Sequence, residues 1–201
     1  SSKGGALDVR NSILVLDNVT LRSNHSGSSG GALFASNSYV EIQSSVIDTN
    51  TATTSGGGIY ADNSSTIMLV NTTLKPSDAA QGGGIYATGS SITLSSSTVT
   101  DNHSTVSGGG LSIHDNSSLT VNGATISDNT SGSGSDIYLN SNATSTFDGA
   151  TITGNTSASG GGAIVANNTS SITMDSSLIE DNSGSTGGGL SLLTGSTGTI
   201  T

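Results

Sequence analysis

Apolar side chains along this chain fall in short alternating pairs that return at a fixed interval. The pairs Leu7/Val9, Leu33/Ala35, Ile59/Ala61, Ile85/Ala87, Leu111/Ile113, Ile137/Leu139, Ile164/Ala166 and Leu190/Leu192 begin 26, 26, 26, 26, 26, 27 and 26 residues apart. A spacing of two within each pair is the mark of a strand with one buried face. A second alternating run follows in most copies, as in Val40/Ile42, Ile92/Leu94, Leu119/Val121 and Ile172/Met174, and a short third centres on Ile47, Val99, Ile126, Ile152 and Ile179. No copy can bury its own apolar face. Stacking solves this, because each strand then pairs in parallel with its equivalent one repeat later and the inward residues merge into one core. The pattern predicts an all-β chain, a right-handed parallel β-helix of about eight 26-residue coils with three short strands per coil. It forms one segment over residues 1–201 with repeats beginning near 7, 33, 59, 85, 111, 137, 164 and 190. A left-handed solenoid would show a hexapeptide rhythm, which a 26-residue period does not contain.

Two signatures punctuate the repeat. A Gly-Gly-(Ala/Gly)-(Leu/Ile) anchor opens the first strand and is degenerate once, at Gly134-Ser135-Asp136-Ile137, without loss of spacing. The third strand runs into apolar-x-x-Asn, which places Asn24, Asn50, Asn102, Asn129, Asn155 and Asn182 at one position of successive coils. Asn tolerates the left-handed backbone of a tight turn, and stacked amides can bond along the axis, so these six are read as an internal, structural ladder. The exception is Leu74-Lys75-Pro76-Ser77, where proline is expected to interrupt the ladder with a bulge or loop.

These signatures resemble the repeat of chlamydial polymorphic outer-membrane proteins, whose hallmarks are GGA(I/L/V) and FxxN. Gly30-Gly31-Ala32-Leu33 and Gly161-Gly162-Ala163-Ile164 match the first, while Ile, Val or Leu replaces Phe in the second. The resemblance covers nearly the whole chain. It implies a surface-exposed, adhesin-like β-helix, and the family's autotransporter barrel is not among these residues.

Composition narrows the function. Gly occurs 29 times and Ser and Thr together 69 times, too lean in apolar residues for an ordinary two-layer core. A net charge of −10 opposes binding to phosphate backbones and anionic lipid, so no nucleic-acid partner and no membrane insertion are expected. There is no cysteine to supply a disulfide framework or a thiolate. No apolar run approaches bilayer length, and the start Ser1-Ser2-Lys3-Gly4-Gly5 is not that of a signal peptide.

Three outward features are candidates for function. Sequons begin at 11 of the 17 asparagines, where about six are expected from the Ser and Thr content. Those on the ladder should be buried, whereas Asn63, Asn116, Asn142 and Asn168, with Asn18 and Asn71, fall in turns and are the candidates for N-linked glycans. Phe34, Tyr60, Tyr86 and Tyr138 share the position after the anchor residue and should form an outward stripe, either simple ring stacking or a face for a carbohydrate or host partner. Outward Thr and Ser pairs at Thr98/Thr100, Thr125/Ser127 and Thr151/Thr153 suggest an ice-binding alternative, but Arg22, Asp48, Lys75 and Glu180 break the array.

Asp101, Asp128 and Asp181 supply too few oxygens for Ca²⁺ and are read as solvated turn acids. Polysaccharide lyases and hydrolases of this shape need clustered bases or carboxylates. Here Lys3, Arg10, Arg22 and Lys75 lie in the first part of the chain, His25 and His103 stand coils apart, and His114 stands alone. No enzyme, cofactor or metal is therefore expected. Both ends fall inside the repeat, and open strand edges template further pairing. The expectation is an extracellular or cell-surface structural protein, a glycosylated fibre or stalk in which the rod continues in a longer chain or copies stack head to tail. An adhesin-like passenger binding through the aromatic face is the alternative.

Overall fold

A computed structural model describes residues 3–201. Ser1 and Ser2, the first residues of the start considered above, lie outside the described residues. Every strand pairing is parallel, and no helix occurs among the described residues. The first sheet stacks eight strands: Leu7–Arg10, Leu33–Ser36, Ile59–Asp62, Ile85–Thr88, Leu111–His114, Ile137–Asn140, Ile164–Ala166 and Leu190–Leu192. The second stacks eight more, from Ile13–Asp17 through Tyr39–Gln43 to Thr197–Ile200. The third holds eleven, because several coils add a short fourth strand, such as His25–Ser26, His103–Ser107, Thr130–Ser131 and Thr156–Ser157. Three strands per coil thus becomes four in those coils, the extra one lying just beyond the ladder asparagine.

In the first sheet, register follows the apolar pattern without a slip. Leu7 opposes Leu33, Leu33 opposes Ile59, and the line runs on through Ile85, Leu111, Ile137, Ile164 and Leu190. A one-residue shift would turn every inward side chain outward, so burial of one face fixes the register. The interior is a single cluster running from Leu33 to Met174. Each fully buried Ile or Leu contributes about 2 kcal/mol of hydrophobic stabilisation. The pattern lapses where Ser145 replaces the inward Leu119 of the coil before, with Phe147 filling the space from the next inward position, and again at Gly198, opposite Ile172 in the last coil.

Anchor glycines answer two separate demands. Gly56 has φ +66°, a left-handed conformation that L side chains rarely adopt. Gly57 instead lies so close to the next coil that a Cβ there would stand 2.3 Å from the Gly83 carbonyl oxygen. Corners between strands carry left-handed residues too, including Asn18, Asn63, Asn71, Asn116, Asn142 and Asn168.

Candidate functional site

The interior polar ladder comes first because it sets the rod's geometry. At each rung the backbone N–H and Nδ2 of one asparagine donate to Oδ1 of the next: Asn24 to Asn50 at 3.0 and 2.9 Å, and Asn102 to Asn129 at 2.9 and 2.9 Å. Asn129 to Asn155 and Asn155 to Asn182 repeat the pattern. The amide also reaches the carbonyl of an apolar residue one coil back, as Asn129 Nδ2 does to Val99 at 3.1 Å. Asn50, Asn102, Asn129 and Asn155 are fully buried. These amides meet the hydrogen-bonding demand of a buried polar group with one another.

The sequence reading of that corner needs correcting in two respects. The left-handed residue is not the asparagine but the one before it: Ser23, Thr49, Asp101, Asp128, Gly154 and Asp181. Pro76 occupies this position in the remaining coil, and its ring holds φ near −65°. No loop forms there: the chain continues as Thr73–Gln81, the longest strand, in register with Val46–Ala52, which itself runs through the left-handed Thr49. The irregularity falls later, between Ala79 and Gln81. Ser77 takes the asparagine's place, and both Ser77 Oγ and Asn102 Oδ1 are buried without a partner.

Two further ladders went unread. At the first corner Ser12, Ser38, Ser65 and Ser90 donate their amides to Oγ of Ser38, Ser65, Ser90 and Ser117 respectively. At the second, Val19, Ser45 and Thr72 donate to Ser45, Thr72 and Ser97. The signal was present as serine recurring at the repeat interval, but Ser is so frequent that the columns do not stand out.

On the outer face of the first sheet lies the aromatic stripe. Phe34 stacks on Tyr60 at 5.3 Å between centroids and 8° between planes, and Tyr60 on Tyr86 at 5.3 Å and 4°. Ser112 interrupts the column at the next coil. His114, two residues on, leans into the gap with its Nε2 2.8 Å from Ser112 Oγ and stacks at 5.0 Å on Tyr86. Tyr138 then stands 5.7 Å from His114, tilted by 53°. His114 is therefore a member of the stripe and not a solitary residue. Phe34 is fully buried, capped by Lys3 Nζ at 4.4 Å and Arg10 at 4.8 Å, and is closed to any partner. Burial pushes the Tyr60 phenol up to about 12 and raises that of Tyr86, while burial lowers the His114 imidazole against the opposing charge of Asp115.

The six turn sequons, Asn18, Asn63, Asn71, Asn116, Asn142 and Asn168, are all exposed. The threonine pairs of the third sheet alternate with buried isoleucine and valine as expected, but the second sheet carries a longer column that the sequence reading missed. Thr93, Thr120, Thr146, Thr173 and Thr199 pair in register over five coils. Arg10 pairs with Asp8 and Arg22 with Asp48, each at 2.8 Å, and His103 Nδ1 lies 3.0 Å from Asp78. Among the described residues no group of three or more His, Asp or Glu could hold a metal ion. No helix among them is long and apolar enough to cross a membrane.

A family model described as a right-handed β-helix region matches residues 57–201. The chain belongs to the right-handed β-helix family. Within this β-helix, residues 44–62 also match the chlamydial polymorphic membrane protein repeat, a span holding both Ile47-x-x-Asn50 and Gly56-Gly57-Gly58-Ile59. No curated protein and no solved structure matches the β-helix.

Proposed function

We propose that this β-helix is a stiff segment of a surface-exposed, autotransporter-like passenger, without catalytic activity of its own, that displays its outer faces to the surroundings. The observation that carries the reading is axial continuity: three sheets tie each coil to the next at the same position, and the asparagine ladder adds rungs on either side of its break at Ser77. A solenoid in which every coil contacts only its neighbours is built for length and a constant cross-section. The match to the chlamydial polymorphic membrane protein repeat supports a surface location. Arg10 and Arg22 are held by Asp8 and Asp48, which supports an inert role over proton transfer. Exposure of the turn sequons supports glycan attachment at Asn18, Asn63, Asn71, Asn116, Asn142 and Asn168 wherever an N-glycosylation pathway is met. Pairing of each strand with its equivalent one coil on is also the geometry by which copies would join into a filament.

The test is accessibility on intact cells that make the protein. Cleavage by an added protease that cannot cross membranes is the expected result, and cleavage only after lysis would reject the reading. Intact mass tests the glycans, and sedimentation of the purified chain separates a filament from a monomeric stalk. The five-coil threonine column favours a second reading, a water-ordering face, which a thermal-hysteresis measurement on supercooled solution accepts or rejects.

A further inference from the structure

The loop that precedes each anchor forms a wall beside the aromatic stripe. Ser29, Ser55, Gln81 and Ser107 pair along it from coil to coil. The line stops at the degenerate anchor, where the amides of Ser133 and Gly134 both turn to the Val106 carbonyl at 2.8 Å. Two clefts open at this point, of about 230 and 270 Å³, and Ser133, Gly134 and Tyr138 line both. The half-buried Tyr138 ring stands between them, with His114 and Asn140 on one side and Val165 and Asn167 on the other. Neither cleft is lined by Asp, Glu, Lys or Arg.

We infer that the paired clefts about Tyr138 are a binding site for a neutral glycan. An aromatic face meets the apolar C–H face of a sugar ring, while amides and hydroxyls supply both donors and acceptors for its hydroxyls. Asn140 and Asn167 supply amide N–H groups, and the Ser133 and Ser159 hydroxyls, whose protons go to the Val106 and Gly132 carbonyls, supply acceptor oxygens. The net charge of −10 disfavours an acidic polysaccharide. A peptide adding as a strand needs an open edge, whereas here the wall amides are already given to Val106. The site deepens the passenger reading by naming what one face recognises, yet its test uses purified protein and does not depend on where that protein resides.

The experiment titrates the chain with cello-, malto- and chito-hexaose, and with an oligogalacturonate as the acidic probe, following Tyr ring resonances by NMR. Saturable binding of at least one neutral hexasaccharide, with a dissociation constant of about 1 mM or tighter, and shifts confined to Tyr138 and its neighbours are expected. Tyr138→Ala weakens it about tenfold, and Tyr138→Phe retains it. Ser133→Trp, at an exposed position outside the ring stack, blocks it without disturbing the fold. Tyr39→Ala, on the second sheet, leaves it unchanged. No binding of any neutral probe, tighter binding of the acidic one, or equal binding by wild type and Ser133→Trp would overturn the inference.

Discussion

Two coils depart from the repeat, and they depart in opposite ways. At Pro76–Ser77 the interior has one amide too few, leaving Ser77 Oγ and Asn102 Oδ1 unpaired. At Ser135–Asp136 it has a carboxyl too many: Asp136 is fully buried where other coils carry Gly or Ala, and its Oδ1 accepts from Gly110 N–H at 2.6 Å while Oδ2 has no partner. Strand pairing holds at both positions, and the shift in the Pro76 strand falls only later, between Ala79 and Gln81. Backbone pairing thus sets the coil, and interior polar groups add to it one rung at a time. The native gap leaves two neutral polar atoms unpaired, whereas a charge in the same space costs more.

The largest effect should come from Asp136. Burial raises its carboxyl from 3.8 to about 7, against the opposing hydrogen bond from the Gly110 N–H and the nearby Asn129 amide. A carboxyl that holds its proton more tightly when folded stabilises the fold below its unfolded value, and that stability is lost as pH rises through the folded value. Urea unfolding should therefore show stability falling by up to about 4 kcal/mol between about pH 4 and pH 7. Asp136→Asn should remove that fall. The buried His114, whose imidazole is lowered, acts in the opposite sense below its ordinary range, so the difference between wild type and Asp136→Asn is the quantity to read.

Next in size is Asn129→Ala, which strips a rung flanked by Asn102 and Asn155 and strands their amide groups; a loss of about 3 kcal/mol in chemical denaturation is expected. Restoring the missing rung with the pair Pro76→Asp and Ser77→Asn recreates the local sequence of Asp101-Asn102 and gives Asn102 Oδ1 its donor. A gain of about 1 kcal/mol follows, visible as a higher thermal midpoint. Smallest is Ser77→Ala: with no partner for Oγ, a change within about 0.5 kcal/mol is expected by the same denaturation assay.

The core was legible because a strand's period of two and a coil's period of 26 survive in a Ser- and Thr-rich chain. The ladder asparagines were legible for the same reason. What the sequence hid were positions defined by conformation and not by spacing. His114 enters the ring stack from two residues beyond the expected place, because Ser112 is small and its hydroxyl holds the imidazole. The left-handed role of Asp101 and Asp128 is a backbone conformation that residue type does not announce, since Ser23, Thr49 and Gly154 share it. The Tyr138 clefts depend on where the wall amides of Ser133 and Gly134 turn, which no residue type announces.

The central claim is that axial rungs join the coils into one stiff rod, with a weaker joint where a rung is missing. Native-state hydrogen exchange reads this coil by coil. The backbone amides of Asn129 and Asn155, each given to the next rung's Oδ1, should be the most protected and should open together, while those of Asp78 and Ala79 beside the gap exchange sooner. Protection at Asp78 and Ala79 equal to or higher than that at Asn129 and Asn155 would contradict the account.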